Sequence, residues 1–358
     1  MRIPDEMLSA RLYGPRDMRV ERVPRPTDPG PDETLLQVTV TSICGSDLHW
    51  YTDGGIGETR IESPLVVGHE FAGVVAEIGE NARDGFDNPL SVGQRVAVDP
   101  AMPCHRCEYC EKGHPNLCRR LHFCGTFPDD GSLSEFMIVP ARTCFPLPDE
   151  LTNLEGAMME PLGIGIHAVR LAEINIAESV AVLGSGPIGL FIIALAKLAG
   201  ASPIIATDLH PWRLEMAKLY GADLVFDGNE DPVQSIRAAT GDRGVDVVFE
   251  AAFGNETVYQ SAQVAGLGAR VVLIGITEKN SFALPASTSR RKGLTIKMSR
   301  RMKHTYPTAM KLALERKIDL NTMVTHRFPL ADADRAFALN AAYENNMVKA
   351  VIESALVS

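Results

Sequence analysis

The feature that most limits how this chain can fold is the run Val180-Ala181-Val182-Leu183-Gly184-Ser185-Gly186-Pro187-Ile188-Gly189, an apolar stretch that breaks into regularly spaced glycines. The apolar part reads as a strand buried on both faces. Glycine at those offsets permits a tight turn and a close backbone approach, and the unpaired amides of the helix that follows can take a pyrophosphate. Downstream the texture repeats. Strands are expected at 180–183, 204–207, 224–226, 245–250 and 271–274, with helices at 188–199, 212–220, 233–239 and 257–265. Such alternation calls for a parallel sheet covered by helices on both faces, a doubly wound α/β unit. The second strand runs into Asp208, at the spacing of an acid that grips adenosine ribose hydroxyls. Its charge would repel a 2′-phosphate, which favours NAD over NADP. Arg213 reads equally as an adenosine contact that would accept that phosphate and as a solvated helix arginine. Ile274, Gly275 and Ile276, where the fifth strand ends, complete the candidate cofactor residues with Gly184, Gly186, Pro187, Ile188 and Gly189.

At 358 residues the chain exceeds what one core usually serves, so two domains are expected. Up to about residue 148 the pattern is β-rich and interrupted, with period-two alternation at 34–41 and 95–99. After about residue 294 it changes again, to helices at 307–315 and 332–340 and a last strand at 348–352. This tail is expected to pack on the first domain. The divisions are then 1–162, 163–296 and 297–358, an all-β unit with the α/β unit inserted in it. A net charge of -10 without a long basic run argues against nucleic acid or an anionic membrane as partner. The most apolar segment, 180–206, is broken by Gly184, Gly186, Gly189, Lys197, Gly200 and Pro203 and is too fragmented to span a bilayer. The acidic, proline-interrupted start lacks the basic and apolar regions of a secretion signal, so a cytoplasmic protein is expected.

In that compartment the seven cysteines read as metal ligands or core thiols. Cys104, Cys107, Cys110 and Cys118 are spaced CxxCxxCx7C, which suits a closed tetrahedral zinc site of structural type in a lobe near 100–120, more than an iron–sulfur cluster. Cys124 and Cys144 fall outside this set and read as core residues. A second set mixes donors: Cys44, in Cys44-Gly45-Ser46-Asp47-Leu48-His49, with His69 and Glu70 of Gly68-His69-Glu70. Thiolate, imidazole and carboxylate together suit a zinc ion with one position left for water or substrate.

With these motifs the chain resembles the zinc-dependent medium-chain dehydrogenase/reductase superfamily over nearly its whole length, and within it the sorbitol (polyol) dehydrogenase branch. The closer match rests on the Cys44–His49 run, on residues 123–131, on Glu160-Pro161-Leu162 with Gly165-Ile166-His167-Ala168, and on residues 324–330. The resemblance implies a GroES-like catalytic domain with an inserted Rossmann domain, assembled as a tetramer, using NAD, one catalytic zinc and one structural zinc. It places Cys44, His69 and Glu70 at the catalytic zinc. Glu160 matches an acid that holds the zinc's water or itself approaches the metal. Phe123 and Thr126 match the substrate pocket, and Arg301 an arginine touching substrate or cofactor. The implied reaction removes the proton of a secondary hydroxyl, with Glu160 as base and Ser46 and His49 as outward relay, and passes hydride to the nicotinamide. His49 reads equally as a histidine packed near the cofactor, and His167 as structural. Trp50 and Met302 stand where polyol enzymes carry tyrosines, which strips two hydroxyls from the expected substrate wall. The basic cluster Arg290, Arg291, Lys292, Lys297, Arg300, Arg301, Lys303 and His304 reads as a solvated surface or, less readily, as a phosphate holder. The expected substrate is a sorbitol-, xylitol- or galactitol-type polyol. L-Threonine, 2,3-butanediol, a sugar acid or a polyol phosphate are alternatives within the family, and a non-catalytic nucleotide-binding protein is a more distant one.

Overall fold

A computed structural model describes residues 3–252, 254–276 and 281–354. It divides into two compact units, Met1–Glu160 with Leu320–Ser358, and Pro161–Asp319.

The first unit is built on a seven-stranded sheet whose central strand is Glu33–Ser42. All but the first residue of that strand are buried, because it is paired on both edges and covered on both faces. Antiparallel partners are Glu70–Ile78 on one side and Lys349–Glu353 on the other. The register sets Ser42 opposite Glu70 and also opposite Val351. Three segments far apart in sequence thus meet at one residue. A helix, Gly45–Asp53, follows the central strand and stops at Gly54, whose φ of 66° closes its end in the left-handed conformation. Beneath it lies an apolar cluster containing Trp50, Tyr51, Leu65, Val66, Phe337 and Ala350. Cys124 and Cys144 are buried in a second cluster of this unit, as expected for core thiols.

The second unit holds six parallel strands, β1 (Val180–Leu183), β2 (Ile204–Asp208), β3 (Leu224–Asp227), β4 (Val245–Glu250), β5 (Ala265–Leu273) and β6 (Thr295–Met298), in the order β3-β2-β1-β4-β5-β6. β1 to β5 occupy the expected segments. The order reverses beside β1, so the ends of β1 and β4 border the crevice where parallel sheets bind ligands. A helix, Pro187–Leu198, leaves the glycine turn directly after β1. The unit closes later than the expected residue 296. β6 adds an edge strand along β5, and the helix Tyr306–Leu314 and the chain up to Asp319 belong with it. The short Thr-Ile-Lys-Met run of β6 carries too little apolar periodicity to announce itself. No helix among the described residues is long and apolar enough to cross a membrane, in keeping with the reading of 180–206.

Candidate metal and cofactor sites

In the first unit, ligand atoms of Cys44, His69 and Glu70 lie within 4.8 Å of one another. Cys44 caps the Gly45–Asp53 helix, and its backbone amide donates to Asp47 Oδ2 at 2.9 Å. Asp47, wholly buried, turns its other oxygen to the Gly68 amide at 3.1 Å and to His69 Nδ1 at 3.2 Å. One carboxylate therefore spaces the cysteine segment from the histidine segment and sets its charge beside the imidazole, although Nδ1 makes no well-aligned hydrogen bond among the described residues. Ser46 Oγ sits 3.3 Å from Nε2. Burial pulls the His69 pKa down, but Asp47 and Cys44 together push it well above the ordinary value. Gly68 must be glycine: its φ is 98°, and a Cβ would meet Ser132 and Thr41 at 2.9 Å.

Glu70 is fully buried and opens its strand, facing Ser42. Its Oε2 accepts from Ser42 Oγ and pairs with Lys349 Nζ. Lys349 is 2% exposed and also donates to Ile43 O at 2.9 Å. Burial works against its charge, but Glu70 and Cys44 hold its pKa above the usual lysine value. Glu70 Oε1 is buried without a partner among the described residues. This orphaned oxygen, beside a thiol and an imidazole, fits a zinc ion by donor type.

The other expected residues divide. Glu160 stands outside this ligand group but is buried and senses it: burial raises its pKa to about 8, Glu70 adds to the rise, and His69 and Lys349 oppose it. Phe123 is buried with its ring 5.3 Å from that of His69, and the Thr126 amide donates to Phe123 O. His49 is on the helix rather than a loop, and its Nδ1 meets Asp53 at 3.0 Å. Trp50 is not a wall residue but core, 1% exposed in the apolar cluster beneath that helix.

The four-cysteine set also assembles, with sulfur separations of 3.4 Å for Cys104–Cys118, 3.5 Å for Cys107–Cys110 and 3.8 Å for Cys107–Cys118. All are free thiols. Amides at Cys110 and Arg119 lower the Cys107 pKa to about 6, whereas burial and the neighbouring sulfurs push Cys110 up to about 12. Four sulfurs this close cannot all be ionised without a cation among them, so the set fits a closed zinc site.

In the second unit, Gly184 adopts a φ of 99°, Gly186 caps the helix and Pro187 begins it, while a Cβ on Gly189 would meet Gly184 O at 1.9 Å. Asp208 accepts from the Ser185 amide at 2.9 Å and from the His210 amide at 3.0 Å, and Arg213 Nη1 lies 3.8 Å from it. Ile274, Gly275 and Ile276 leave the end of β5 on the same edge of the sheet. Arg301 belongs to this unit, in the left-handed conformation at a φ of 55°. Met302 is 5% exposed and packs where a Cβ on Gly163 would meet its sulfur, so it is a core residue of this unit. His167 is buried, its pKa pulled to about 4 by burial and by Lys303 and Arg170. The basic cluster is partly used in structure: Lys292 Nζ donates to three carbonyls, of Ala262, Gln263 and Ala265, and Lys297 Nζ to that of Leu171.

Comparison with known proteins agrees with both units. The alcohol dehydrogenase GroES-like domain matches residues 30–149, and the zinc-binding dehydrogenase domain matches residues 187–315. The sorbitol dehydrogenase of Bacillus subtilis (strain 168) is 35% identical over 352 residues, 98% of this chain and 98% of that protein. That of Bos taurus is 38% identical, covering 93% of this chain and 92% of its own. The chain belongs to the zinc-dependent medium-chain dehydrogenase/reductase superfamily, in its sorbitol dehydrogenase-like branch. Among solved structures, an Escherichia coli CFT073 alcohol dehydrogenase complexed with NADH superposes with a TM-score of 0.88 at 28% identity, covering 98% of this chain and 100% of that one. By its family description this chain is a zinc-binding dehydrogenase. Sequence reasoning missed Asp47, Ser42 and Lys349 as parts of its metal site. The available signal was a single lysine inside the apolar run Val348-Lys349-Ala350-Val351-Ile352, since a charge there requires a buried partner.

Proposed function

We propose that this dehydrogenase oxidises a secondary hydroxyl of a sugar alcohol of the sorbitol, xylitol or galactitol type to the ketone, with NAD as acceptor. The single observation that carries the reading is the buried mixed-donor group of Cys44, His69 and Glu70, with one oxygen of Glu70 left unsatisfied. Sorbitol-named relatives at this identity and coverage support the substrate class. When bound, zinc supplies the Lewis acidity that acidifies a hydroxyl, and NAD supplies the place for the hydride.

The chain's own residues do the rest. Cys44 Sγ, His69 Nε2 and Glu70 Oε1 hold the catalytic metal, while Asp47 fixes the imidazole and Lys349 with Ser42 fixes the carboxylate. Glu160 takes the hydroxyl proton and Ser46 passes it outward. His49, held by Asp53, lies further along that route on the same helix. Phe123, against the His69 ring, and Thr126 shape the substrate side, and we assign Arg301 to contact with substrate or cofactor. Cys104, Cys107, Cys110 and Cys118 hold the structural zinc. Gly184, Gly186, Pro187, Ile188, Gly189, Asp208, Arg213, Ile274, Gly275 and Ile276 receive the cofactor, and Asp208 favours NAD over NADP. We read the protein as a cytoplasmic homotetramer acting on a small molecule.

The test is NADH formation across hexitols, pentitols, polyol phosphates, L-threonine and 2,3-butanediol, with zinc determined on the same sample and mass by sedimentation. Activity on a hexitol or pentitol with two zincs per chain is the expected result. Turnover confined to threonine or butanediol would move the chain to another substrate class of its family.

A further inference from the structure

The second unit contains a buried acid that none of the assignments above uses. Glu250, the last residue of β4, is fully buried. In the sheet register it lies level with Leu183 at the end of β1 and Leu273 at the end of β5. The glycine turn follows the first of these, and Ile274-Gly275-Ile276 follows the second. Glu250 therefore stands between the two segments assigned to the cofactor.

Its carboxylate joins three pieces of chain. Oε1 accepts from the Ala252 amide at 3.0 Å and from Thr257 Oγ1 at 2.7 Å, and Oε2 accepts from the Gly275 amide at 3.2 Å. The backbones around it approach too closely for side chains: a Cβ on Gly275 would meet Ala252 O at 1.6 Å, and one on Gly184 would meet Ala251 and Ala252 backbone atoms at 2.9 Å. Among the described residues no cation pairs with this acid. Burial raises its pKa to about 7, against the hydrogen bonds from Thr257, Ala252 and Gly275. Isolating a carboxyl from water in this way is costly for a residue that only ends a strand. Three donors on one short carboxylate do what an apolar side chain cannot: they set the spacing of loops that must not drift.

We propose that Glu250 is a positioning residue for the NAD site, holding the Ala251–Ala252 and Ile274–Ile276 backbones in register with the glycine turn. The proposal rests on the NAD-dehydrogenase reading and deepens it. Glu250→Gln is the informative change. Its amide oxygen can still serve Ala252 and Thr257, but its NH2 then faces the Gly275 amide, donor against donor.

NADH affinity is measured by fluorescence titration on wild type and E250Q, together with zinc content, melting temperature and the KM values for NAD and polyol. The expected result is NADH binding about tenfold weaker and a NAD KM raised to match, from loss of one hydrogen bond to a charged group. Polyol KM and zinc content should stay as in wild type. A lower melting temperature with wild-type NADH affinity would overturn the proposal, leaving Glu250 a purely structural residue. If E250Q does not fold, Thr257→Val removes one donor to the same carboxylate, and NADH binding weakened about threefold is expected. Unchanged affinity in T257V would then overturn the proposal. Wild-type protein that binds no NADH would instead overturn the dehydrogenase reading, a result distinct from a variant that matches wild type.

Discussion

Glu70 and Glu250 are both glutamates without measurable exposure, each at one end of a strand, and the protein treats them in opposite ways. Glu70 is given a buried lysine and a hydroxyl on one oxygen, and the other has no partner among the described residues. Glu250 has neutral donors on both oxygens and, among the described residues, no cation. A carboxylate paired with a fixed positive charge on one oxygen keeps the other available to a metal. One held only by amides and a hydroxyl can take up a proton, and its use lies in where it puts those amides. The first arrangement is electrostatic and draws on distant segments, whereas the second is steric and lies within one βα unit and its neighbour.

The largest effect should come from the metal side. Cys44→Ala is expected to lower kcat/KM by at least ~10³-fold while leaving NADH affinity intact, because it removes a ligand and not a cofactor contact. Zinc analysis should show one ion lost per chain, and a metal-stripped variant that still turns over would end the comparison. Lys349→Met comes next. It strands a buried carboxylate and should cost about 3–5 kcal/mol of stability, read from denaturant melts, with Lys349→Arg recovering part of the loss. A K349M protein as stable as wild type would mean that Glu70 is not held by charge.

The third prediction concerns pH. The Glu250 carboxyl titrates near 4.5 when unfolded and near 7 when folded. Between these values the folded protein keeps a proton that the unfolded chain has released, so stability should fall as pH rises through that window and be flat below it. The expected loss is roughly 3 kcal/mol, absent in E250Q, and melts at pH 5 and pH 7.5 on both proteins check it. The smallest effect is expected from Asp208→Asn. It should reduce the NAD-to-NADP ratio of kcat/KM by about tenfold while keeping the turn, since the amide oxygen still accepts one of the two backbone bonds.

What could be read in the sequence follows the same division. The glycine turn, the alternation around it and the four-cysteine spacing are local patterns, and β1 to β5 occupy the segments where those patterns place them. The metal group was partly legible, because Cys44 and Gly68-His69-Glu70 carry their own spacing. The partners of Lys349 were not, since its contact with Ile43 spans 306 positions and nothing near either residue announces the other. Trp50 misled for a related reason: a residue's place beside a motif says nothing of which helix face it occupies, and this one faces the core. β6 and the late end of the second unit were hidden in a run whose burial is too slight to leave a pattern.

The strand Lys349–Glu353 also sets an order of events during synthesis. Glu70 and its counter-ion emerge from the ribosome at opposite ends of translation, with the whole Pro161–Asp319 unit made between them. A nascent chain that has completed only its first 160 residues has the thiol, imidazole and carboxylate but not the ammonium group that neutralises their surroundings. The inserted unit can fold on its own contacts as it emerges. The buried carboxylate of Glu70 therefore meets its lysine only after the second unit has been made.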